Sequence, residues 1–438
     1  MPAGAPPSSL LGRILDAGVV RRVVVYVASG SASALISFLL LPVLTKYLSP
    51  ADYGVVEIFT TLSACLTGIL LVGGNTILAK EFFDGNETAR TRLIGHLLGL
   101  LIVTTGLAAA VLGLLLAAGC PVGAWLGVAP SILYGVLVFS LATALIALYT
   151  TLLQAEKRAA HYAYFVNSKT LLEIGLSLFL IISLGLMWQG RLAGMLAASL
   201  AYGAFAVFIF LRRAVRPAFT GPELRRLAAL GLPLVAAHVS VWAYGMIDRV
   251  IMSHQFDLAT TGLYSVGFRF ASVVSMVESA FSLAWMPFFF ENVRRGEPAA
   301  DARVLRLSYV YIGALLAFAV LFGIAAQWLL PAMVDDRFDE ARRFTIVLCL
   351  AFWLCGVWKM FNGYLIAANR TRLYGGITSG TAALHVGLTW WLLGRLGPMG
   401  AAWATLATYG VATGLTIWAA ARIRPLPWLA ALRSAPSS

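Results

Sequence analysis

Charged side chains interrupt the long apolar stretches of this 438-residue chain, where they could bind an anion or exchange a proton or cation. The eight residues of this kind are Glu57, Lys169, Glu173, Asp248, Arg249, Arg269, Glu278 and Lys359. Facing hydrocarbon, each charge would cost about 2.5–3.5 kcal/mol, so most must face water or an opposite charge. Arginine offers a planar, permanently charged fork suited to phosphate oxygens. Burial of a carboxylate raises its pKa toward the working pH range, which suits ion coupling.

The spacing of four of these charges limits how they can pair. Lys169 and Glu173 are four residues apart on one predicted helix, so they can neutralise each other. Arg269 and Glu278 are nine residues apart, half a turn out of phase on a regular helix. We therefore expect at least one of Arg269 and Glu278 to have a partner on another helix.

Each of the other four charges has a simple interpretation, its position near a helix end, and a functional one, the lining of a cavity. Glu57 lies one turn into its predicted helix, where the helix N-terminus alone favours a carboxylate. Lys359 and Arg249 lie near the ends of their spans, from which a long side chain can reach the interface. The side chain of Asp248 is too short to do so and needs a partner. Lining of a cavity is slightly favoured for Asp248 and Arg249.

Some uncharged residues are further candidates for transport chemistry. Trp242, Tyr244 and Trp285 could stack on sugar rings, although interfacial anchoring or packing explains any one of them. His238 and His385 could shuttle protons, although a single histidine in a helix bundle is more often a hydrogen-bonded packing residue.

Several classes of chemistry lack a sequence signature. The four cysteines form no CxxC motif and no cluster with histidine, so we predict no metal site. No GxxxxGK[ST] loop and no nucleophile with a credible base occur, which predicts a non-enzyme that neither hydrolyses nucleotides nor holds a cofactor. The basic loops lack the aromatic residues that single-stranded nucleic acid would need.

The composition places these charges in an integral membrane protein. The chain is 60% hydrophobic and 12% charged, and its mean hydropathy is +0.85. About 20 apolar residues cross the hydrocarbon core as a helix, which satisfies its own backbone hydrogen bonds. We predict an all-α fold with twelve transmembrane helices, at residues 23–45, 54–79, 93–118, 129–153, 161–186, 192–211, 227–253, 262–290, 304–328, 343–366, 373–393 and 400–421.

Two matching turns indicate an internal repeat of six helices. Residues 46–54 (KYLSPADYG) and 254–262 (HQFDLATTG) each join two apolar stretches, and they lie 208 residues apart. Repeated units of this kind are typical of transporters. We predict a cytoplasmic segment 1–22, an N-lobe 23–211, a linker 212–226, a C-lobe 227–421 and a cytoplasmic tail 422–438.

The basic residues predict the orientation of the chain. If the N-terminus is cytoplasmic, the cytoplasmic segments hold 22 Lys and Arg residues and the opposite loops hold 6. Both termini are therefore predicted to be cytoplasmic in a multi-pass protein of a bacterial inner membrane. The net charge of +13 also favours contact with anionic membrane lipid.

Four motifs together resemble one transporter family along essentially the whole chain. Residues 41–54 (LPVLTKYLSPADYG) resemble the first-helix signature of polysaccharide transporter family flippases of the Wzx type, within the MOP exporter superfamily. Residues 231–234 followed by Asp248 and Arg249, then 262–269, then 284–289 (AWMPFF), resemble the central region of that family.

The resemblance implies two MOP/MATE-like six-helix lobes around a central, water-filled and often cationic cavity that opens alternately to each side. It implies translocation of an undecaprenyl-diphosphate-linked oligosaccharide during synthesis of O-antigen, capsule or exopolysaccharide, alongside a polysaccharide polymerase and chain-length machinery. Arg249, Arg269, Lys169 and Lys359 would then bind the head-group phosphates. Asp248, Glu173, Glu278 and Glu57 would be coupling or ion-pair residues, with H⁺, Na⁺ or the membrane potential as the driving force. Asp248, Arg249 and Arg269 occupy family-like positions, whereas Lys169, Glu173 and Glu278 match no family pattern, so their roles depend only on the cost of a charge in the membrane.

Three alternatives stay open. A lipid II flippase is close in chemistry, although members of that class usually have more helices. A MATE-like cation-coupled drug antiporter would show carboxylates and aromatic residues that select cations, and the buried Arg and Lys argue against it. A membrane O-antigen ligase or polymerase would carry a large outer loop, whereas the longest one here covers only residues 329–342.

Overall fold

The computed structural model describes residues 35–36, 38–84, 86–295 and 298–424, which form helices joined by short connections. No strand occurs within these ranges. The predicted segment 1–22, residues 23–34 of the predicted first span and the tail beyond Arg424 lie outside the described residues.

From Leu41 onward, the described residues of the first half of the chain form eight helices. They are α1 Leu41–Tyr47, α2 Pro50–Leu71, α3 Gly74–Glu81, α4 Glu87–Ala117, α5 Val122–Trp125, α6 Pro130–Ala155, α7 Ala159–Leu184 and α8 Met187–Arg212.

The described residues of the second half form seven helices and a short 3₁₀ turn, Asp336–Ala341. The helices are α9 Gly221–Gln255, α10 Leu258–Ala271, α11 Val273–Arg295, α12 Pro298–Met333, α13 Arg342–Ala367, α14 Thr371–Leu396 and α15 Met399–Ile423. Across the described part of the chain, eight segments are long and apolar enough to cross a membrane.

Some helices extend well beyond the predicted spans. Helix α4 begins at Glu87 and α12 at Pro298, six residues before the predicted spans begin at 93 and 304. The hydrophobic stretch marks only the part of a helix that crosses hydrocarbon. Polar residues beyond it can continue the same helix into the interface.

Two predicted spans are each divided into two helices. The span predicted at 54–79 breaks where Val72 and Gly73 have φ of 45° and 67°, between α2 and α3. Glycine tolerates this left-handed conformation without a steric penalty. The span predicted at 262–290 is interrupted at Ser272, whose hydroxyl donates to the Arg269 carbonyl at 2.6 Å. A side chain that bonds to the backbone in this way competes with the helical hydrogen bonds.

The two matching turns start helices in the same way. The Asp52 backbone N–H donates to Ser49 Oγ at 3.1 Å, and the Thr260 backbone N–H donates to Asp257 Oδ1 at 2.6 Å. Ser49 and Asp257 are 208 residues apart, so equivalent residues supply the N-terminal caps of α2 and α10. The repeat predicted from the sequence thus extends to local hydrogen bonding.

The described residues form two compact units. The first contains described residues up to Leu40 together with Leu66–Gly113 and Gly135–Leu234. The second contains Leu41–Cys65, Leu114–Tyr134 and the described residues from Val235 onward. The lobe boundaries given above concern the sequence repeat and remain predictions.

In the first unit, the segment between α8 and α9 packs on α4. The Ala218 backbone N–H donates to the Gly95 carbonyl at 2.9 Å. A Cβ atom at Gly99 would lie 2.0 Å from the Ala218 oxygen, so only glycine permits this approach. Because α9 already begins at Gly221, the irregular part of the predicted linker is shorter than 212–226.

In the second unit, α13 is the central helix and packs against α10, α11, α12 and α15. Its buried face is largely apolar, with Phe344, Leu348, Phe361 and Leu365 at most 2% exposed. This apolar core fixes the helices that carry the buried charges.

Candidate functional site

A buried carboxylate in the second unit contacts two arginines from two other helices. Glu57 of α2 accepts from Arg249 Nε of α9 at 3.3 Å and from Arg269 Nη2 of α10 at 3.0 Å. The side chains of Glu57 and Arg249 are 8% and 6% exposed, whereas that of Arg269 is 37% exposed. One carboxylate neutralises only one of two guanidinium groups. The cluster therefore carries a net positive charge, and Arg269 is its accessible cation.

Arg249 is held from several sides. Its Nη1 donates to the Gly245 carbonyl at 2.8 Å, and its guanidinium carbon lies 4.3 Å from the centre of the Phe268 ring. The Tyr264 ring is also near, at 5.9 Å. These cation–π and hydrogen-bond contacts fix Arg249 in place.

Two simple interpretations of the sequence are wrong for this cluster. The helix N-terminus alone does not account for Glu57, because this carboxylate is paired with two arginines. Arg249 does not reach the interface, because its side chain is almost fully buried. Both ion pairs join helices far apart in sequence, so helical spacing could not predict them.

Replacing Glu57 with glutamine should destabilise the protein strongly. The change leaves two arginines without a counter-charge, and removal of one partner from a buried pair costs about 3–5 kcal/mol. We expect a clear fall in the melting temperature of the purified protein in detergent. The double variant Glu57→Gln, Arg249→Met should recover much of that loss. Glu340→Gln, at a carboxylate 65% exposed, is the matched control. A melting temperature unchanged by Glu57→Gln would contradict a structural role of the pair.

A second buried carboxylate lies in a cage of hydroxyl groups. Asp248 of α9 accepts from the Tyr264 hydroxyl at 2.6 Å, and the Thr389 and Thr405 hydroxyls lie 3.2 and 3.1 Å from its oxygens. His385 Nε2 of α14 lies 2.9 Å from Asp248 Oδ1. Asp248 and His385 are both fully buried. An acid and an imidazole at this separation can hold a proton between helices.

The sequence raised His385 as a possible proton carrier but favoured a packing role. Its Nδ1 lies 3.2 Å from the Thr408 hydroxyl, so it is hydrogen-bonded as that interpretation expects. Its other nitrogen faces Asp248, which gives it a partner that titrates. The partners Tyr264, Thr389 and Thr405 were not identified from the sequence, because hydroxyl residues in apolar helices are common.

A third pair joins α11 to α13. Lys359 Nζ lies 2.6 Å from Glu278 Oε2, and the Ser282 hydroxyl donates to Glu278 Oε1 at 2.7 Å. Glu278 is 1% exposed and Lys359 is 41% exposed. As the half-turn offset predicts, Arg269 and Glu278 have separate partners on other helices. Lys359 therefore neutralises a buried carboxylate, a role that reaching the interface alone does not include.

The first unit contains its own glutamate with two cations. Glu173 of α7 lies 2.5 Å from Lys169 Nζ and 2.9 Å from Arg191 Nη2 of α8. The pairing of Lys169 with Glu173 predicted from their spacing is confirmed. Arg191 lies between the predicted spans 161–186 and 192–211, which places it in an outer loop. Helix α8 begins at Met187, however, and includes Arg191. This cluster also has one more cation than acid.

The aromatic candidates pack against protein in the described structure. Tyr244 stacks on Trp358, Tyr409 and His385 and is buried. Trp285 is buried beside phenylalanine rings, and Trp242 Nε1 donates to the Thr61 carbonyl at 2.8 Å. The sugar-stacking role of Trp242, Tyr244 and Trp285 stays a prediction. Within the described residues, no three His, Cys, Asp or Glu side chains are grouped as a metal site would require.

Sequence comparisons identify relatives of the chain. Residues 19–293, more than half of it, match the family model described as polysaccharide biosynthesis protein. A Haemophilus influenzae protein named Lsg locus putative protein 1 is 24% identical over 369 residues, which cover 81% of this chain and 86% of that protein. An uncharacterized membrane protein of the same species is 22% identical over 361 residues, covering 80% and 84%.

Structure comparisons show the fold of a transporter superfamily. An inward-facing multidrug resistance MATE transporter of the MOP superfamily has a TM-score of 0.69 at 13% identity, covering 89% of this chain and 95% of the other. The lipid II flippase MurJ in an inward closed conformation has a TM-score of 0.64 at 14% identity, covering 91% and 87%. In its described residues this chain is thus a helical membrane protein whose fold is similar to that of these transporters, and by its family match it belongs to the polysaccharide biosynthesis protein family.

Proposed function

We propose that this protein flips an undecaprenyl-diphosphate-linked oligosaccharide across the bacterial inner membrane by alternating access. The observation that carries the proposal is the cluster of Glu57 with Arg249 and Arg269, which has one uncompensated positive charge and one accessible guanidinium. A diphosphate carries roughly two negative charges that hydrocarbon does not accept, and Arg presents a fork that matches phosphate oxygens. The cationic cluster would shelter the head group while the prenyl tail remains in lipid.

The family supports the glycan part of this proposal, since its description concerns polysaccharide biosynthesis. A superfamily structure named as a lipid II flippase supports the lipid-linked part. The further cations within the apolar helices, Lys169, Arg191 and Lys359, suit an anionic substrate better than a cationic drug. A polysaccharide polymerase with its chain-length machinery would consume the product on the outer face.

The orientation proposed here follows the basic residues, with both termini in the cytoplasm. Under this orientation, the turns that precede α2 and α10 lie on the outer face. The Asp248 and Glu278 carboxylates then lie on helices that cross between the two aqueous compartments.

A reconstituted flipping assay tests the proposal directly. Purified protein is placed in vesicles with a fluorescent undecaprenyl-diphosphate oligosaccharide in both leaflets, and an impermeant reductant bleaches the outer leaflet. We expect a second bleaching phase that requires the protein and disappears when a neutral prenyl alcohol replaces the diphosphate. Absence of the second phase would refute the proposal. Flipping of lipid II alone, or export of a cationic dye without flipping, would favour the corresponding alternative.

We also propose that Asp248 and His385 couple this movement to protons. Both side chains are fully buried and 2.9 Å apart, and the other side chains that hydrogen-bond to Asp248 are the hydroxyls of Tyr264, Thr389 and Thr405. Glu173 is a weaker candidate because two cations already hold it at 2.5 and 2.9 Å. Sodium and the membrane potential are the other driving forces to be distinguished.

A further inference from the structure

The first turns of α2 and α10 meet through backbone atoms within the second unit. A Cβ atom added at Gly54 would lie 1.9 Å from the Leu258 oxygen, and one added at Gly262 would lie 2.0 Å from the Pro50 oxygen. The same Cβ at Gly262 would lie 3.0 Å from the Gly54 nitrogen. Only glycine at both positions allows this approach. We call the contact of Gly54, Gly262, Pro50 and Leu258 the glycine seam.

The glycine seam is reciprocal. Leu258 lies 208 residues after Pro50, and Gly262 lies 208 residues after Gly54. Gly54 thus faces the carbonyl oxygen of Leu258, and Gly262 faces the carbonyl oxygen of Pro50, which is the residue equivalent to Leu258. In such a contact both sides use the same surface, which is the arrangement that a two-fold axis produces. The two copies of the repeated turn therefore meet on their local axis.

The glycine seam also sets the distance between two residues of the cationic cluster. Glu57 is three residues after Gly54 on α2, and Arg269 is seven residues after Gly262 on α10. These separations are roughly one and two helical turns. Close contact of the helix ends is what brings the Glu57 carboxylate within 3.0 Å of Arg269 Nη2.

We propose that the glycine seam is the closed outer gate of the transport cycle, and that the gate opens when α2 separates from α10. The closest approach in the seam is between backbone atoms, and the ion pair of Glu57 with Arg269 is a further link between the two helices. Opening would expose Arg269 to the outer face and part it from Glu57. The proposal rests on alternating access as the function, but its test requires no substrate.

Side-specific labelling of a single cysteine tests the gate. The reporter is Gly245→Cys in a chain whose four native cysteines are replaced. A Cβ atom at residue 245 has no heavy atom within 4 Å, and the residue lies one turn before Arg249 on the same face. An impermeant maleimide is added to whole cells or to inverted vesicles. The reporter should react mainly from the cytoplasmic side.

Alanine at either glycine of the seam should open the gate. Because overpacking destabilises a close contact, labelling from the outer side should rise at least about tenfold in Gly54→Ala and Gly262→Ala. The reciprocal contact predicts similar increases in the two variants. Gly313→Ala on α12, where a Cβ atom meets nothing within 4 Å, is the matched control and should label like the parent.

Three labelling results would distinguish the gate proposal from the proposal about the substrate. Unchanged labelling in alanine variants that reach the membrane would overturn the gate. Free labelling of the parent from the outer side would also overturn it, and this measurement holds even if the alanine variants fail to fold. Labelling as expected in a protein that does not flip the lipid-linked glycan would keep the gate and refute the proposed substrate.

Discussion

Replacing Arg269 with alanine should abolish glycan flipping while folded protein remains in the membrane. The fold should survive because Glu57 and Arg249 then form a neutral pair, and the lost side chain is 37% exposed. Transport should fall by roughly 30-fold to 4,000-fold, because truncating one partner of a close charge pair costs about 2–5 kcal/mol and each 1.4 kcal/mol is a factor of ten. The second bleaching phase of the vesicle assay measures this loss.

The lysine variant and a surface variant make the result specific. Arg269→Lys keeps the positive charge but lacks the bidentate fork, so it should recover only part of the activity. Arg343→Ala removes a cation that is 46% exposed and pairs with Glu340, and it should flip normally. Full activity of Arg269→Ala would remove this residue from the mechanism.

The sequence indicated which charges need a partner, because hydrocarbon makes each unpaired charge costly. It also predicted the local pairing of Lys169 with Glu173, since four residues on one helix place both side chains on the same face. The half-turn offset of Arg269 and Glu278 correctly implied partners elsewhere. These inferences concern single helices, where geometry follows directly from residue number.

Partners on other helices could not be derived in the same way. The pairing of Glu57 with Arg249 spans 192 residues, and that of Lys359 with Glu278 spans 81. Such contacts depend on how helices pack, which spacing along one helix does not determine. Arg191 was not predicted as a partner of Glu173, because the apolar stretch begins at residue 192 whereas helix α8 begins at Met187.

The repeated turns contain one feature that the sequence predicts, their helix starts, and one that it does not, the contact between them. Their offset of 208 residues predicted equivalent helix starts, and the caps of Ser49 and Asp257 confirm this. The meeting of Gly54 with Gly262 was not predicted, because a glycine that permits close approach looks in the sequence like any other glycine. Only the structure shows which backbone lies against it.

Replacing Asp248 with asparagine should slow flipping and remove its dependence on pH. The amide keeps the shape and can still accept from the Tyr264 hydroxyl, but it can no longer exchange a proton with His385. We expect the rate to fall at least about tenfold, equivalent to about 1.4 kcal/mol in the barrier. His385→Gln, which keeps hydrogen-bonding capacity without titration, should lose the same pH dependence. Vesicles with imposed pH or sodium gradients measure these effects separately.

The surroundings of Asp248 indicate which neighbour exchanges the proton. The groups around it are Tyr264 from α10, His385 and Thr389 from α14, Thr405 from α15 and the adjacent Arg249, whose guanidinium pairs with Glu57. His385 is therefore the neighbouring base with which Asp248 can share a proton. Glu173→Gln tests the second candidate, and Glu340→Gln, at a carboxylate that is 65% exposed, is the control. If Asp248→Asn and Glu173→Gln both flip at the native rate with unchanged dependence on pH and sodium, these carboxylates are structural and the driving force lies elsewhere.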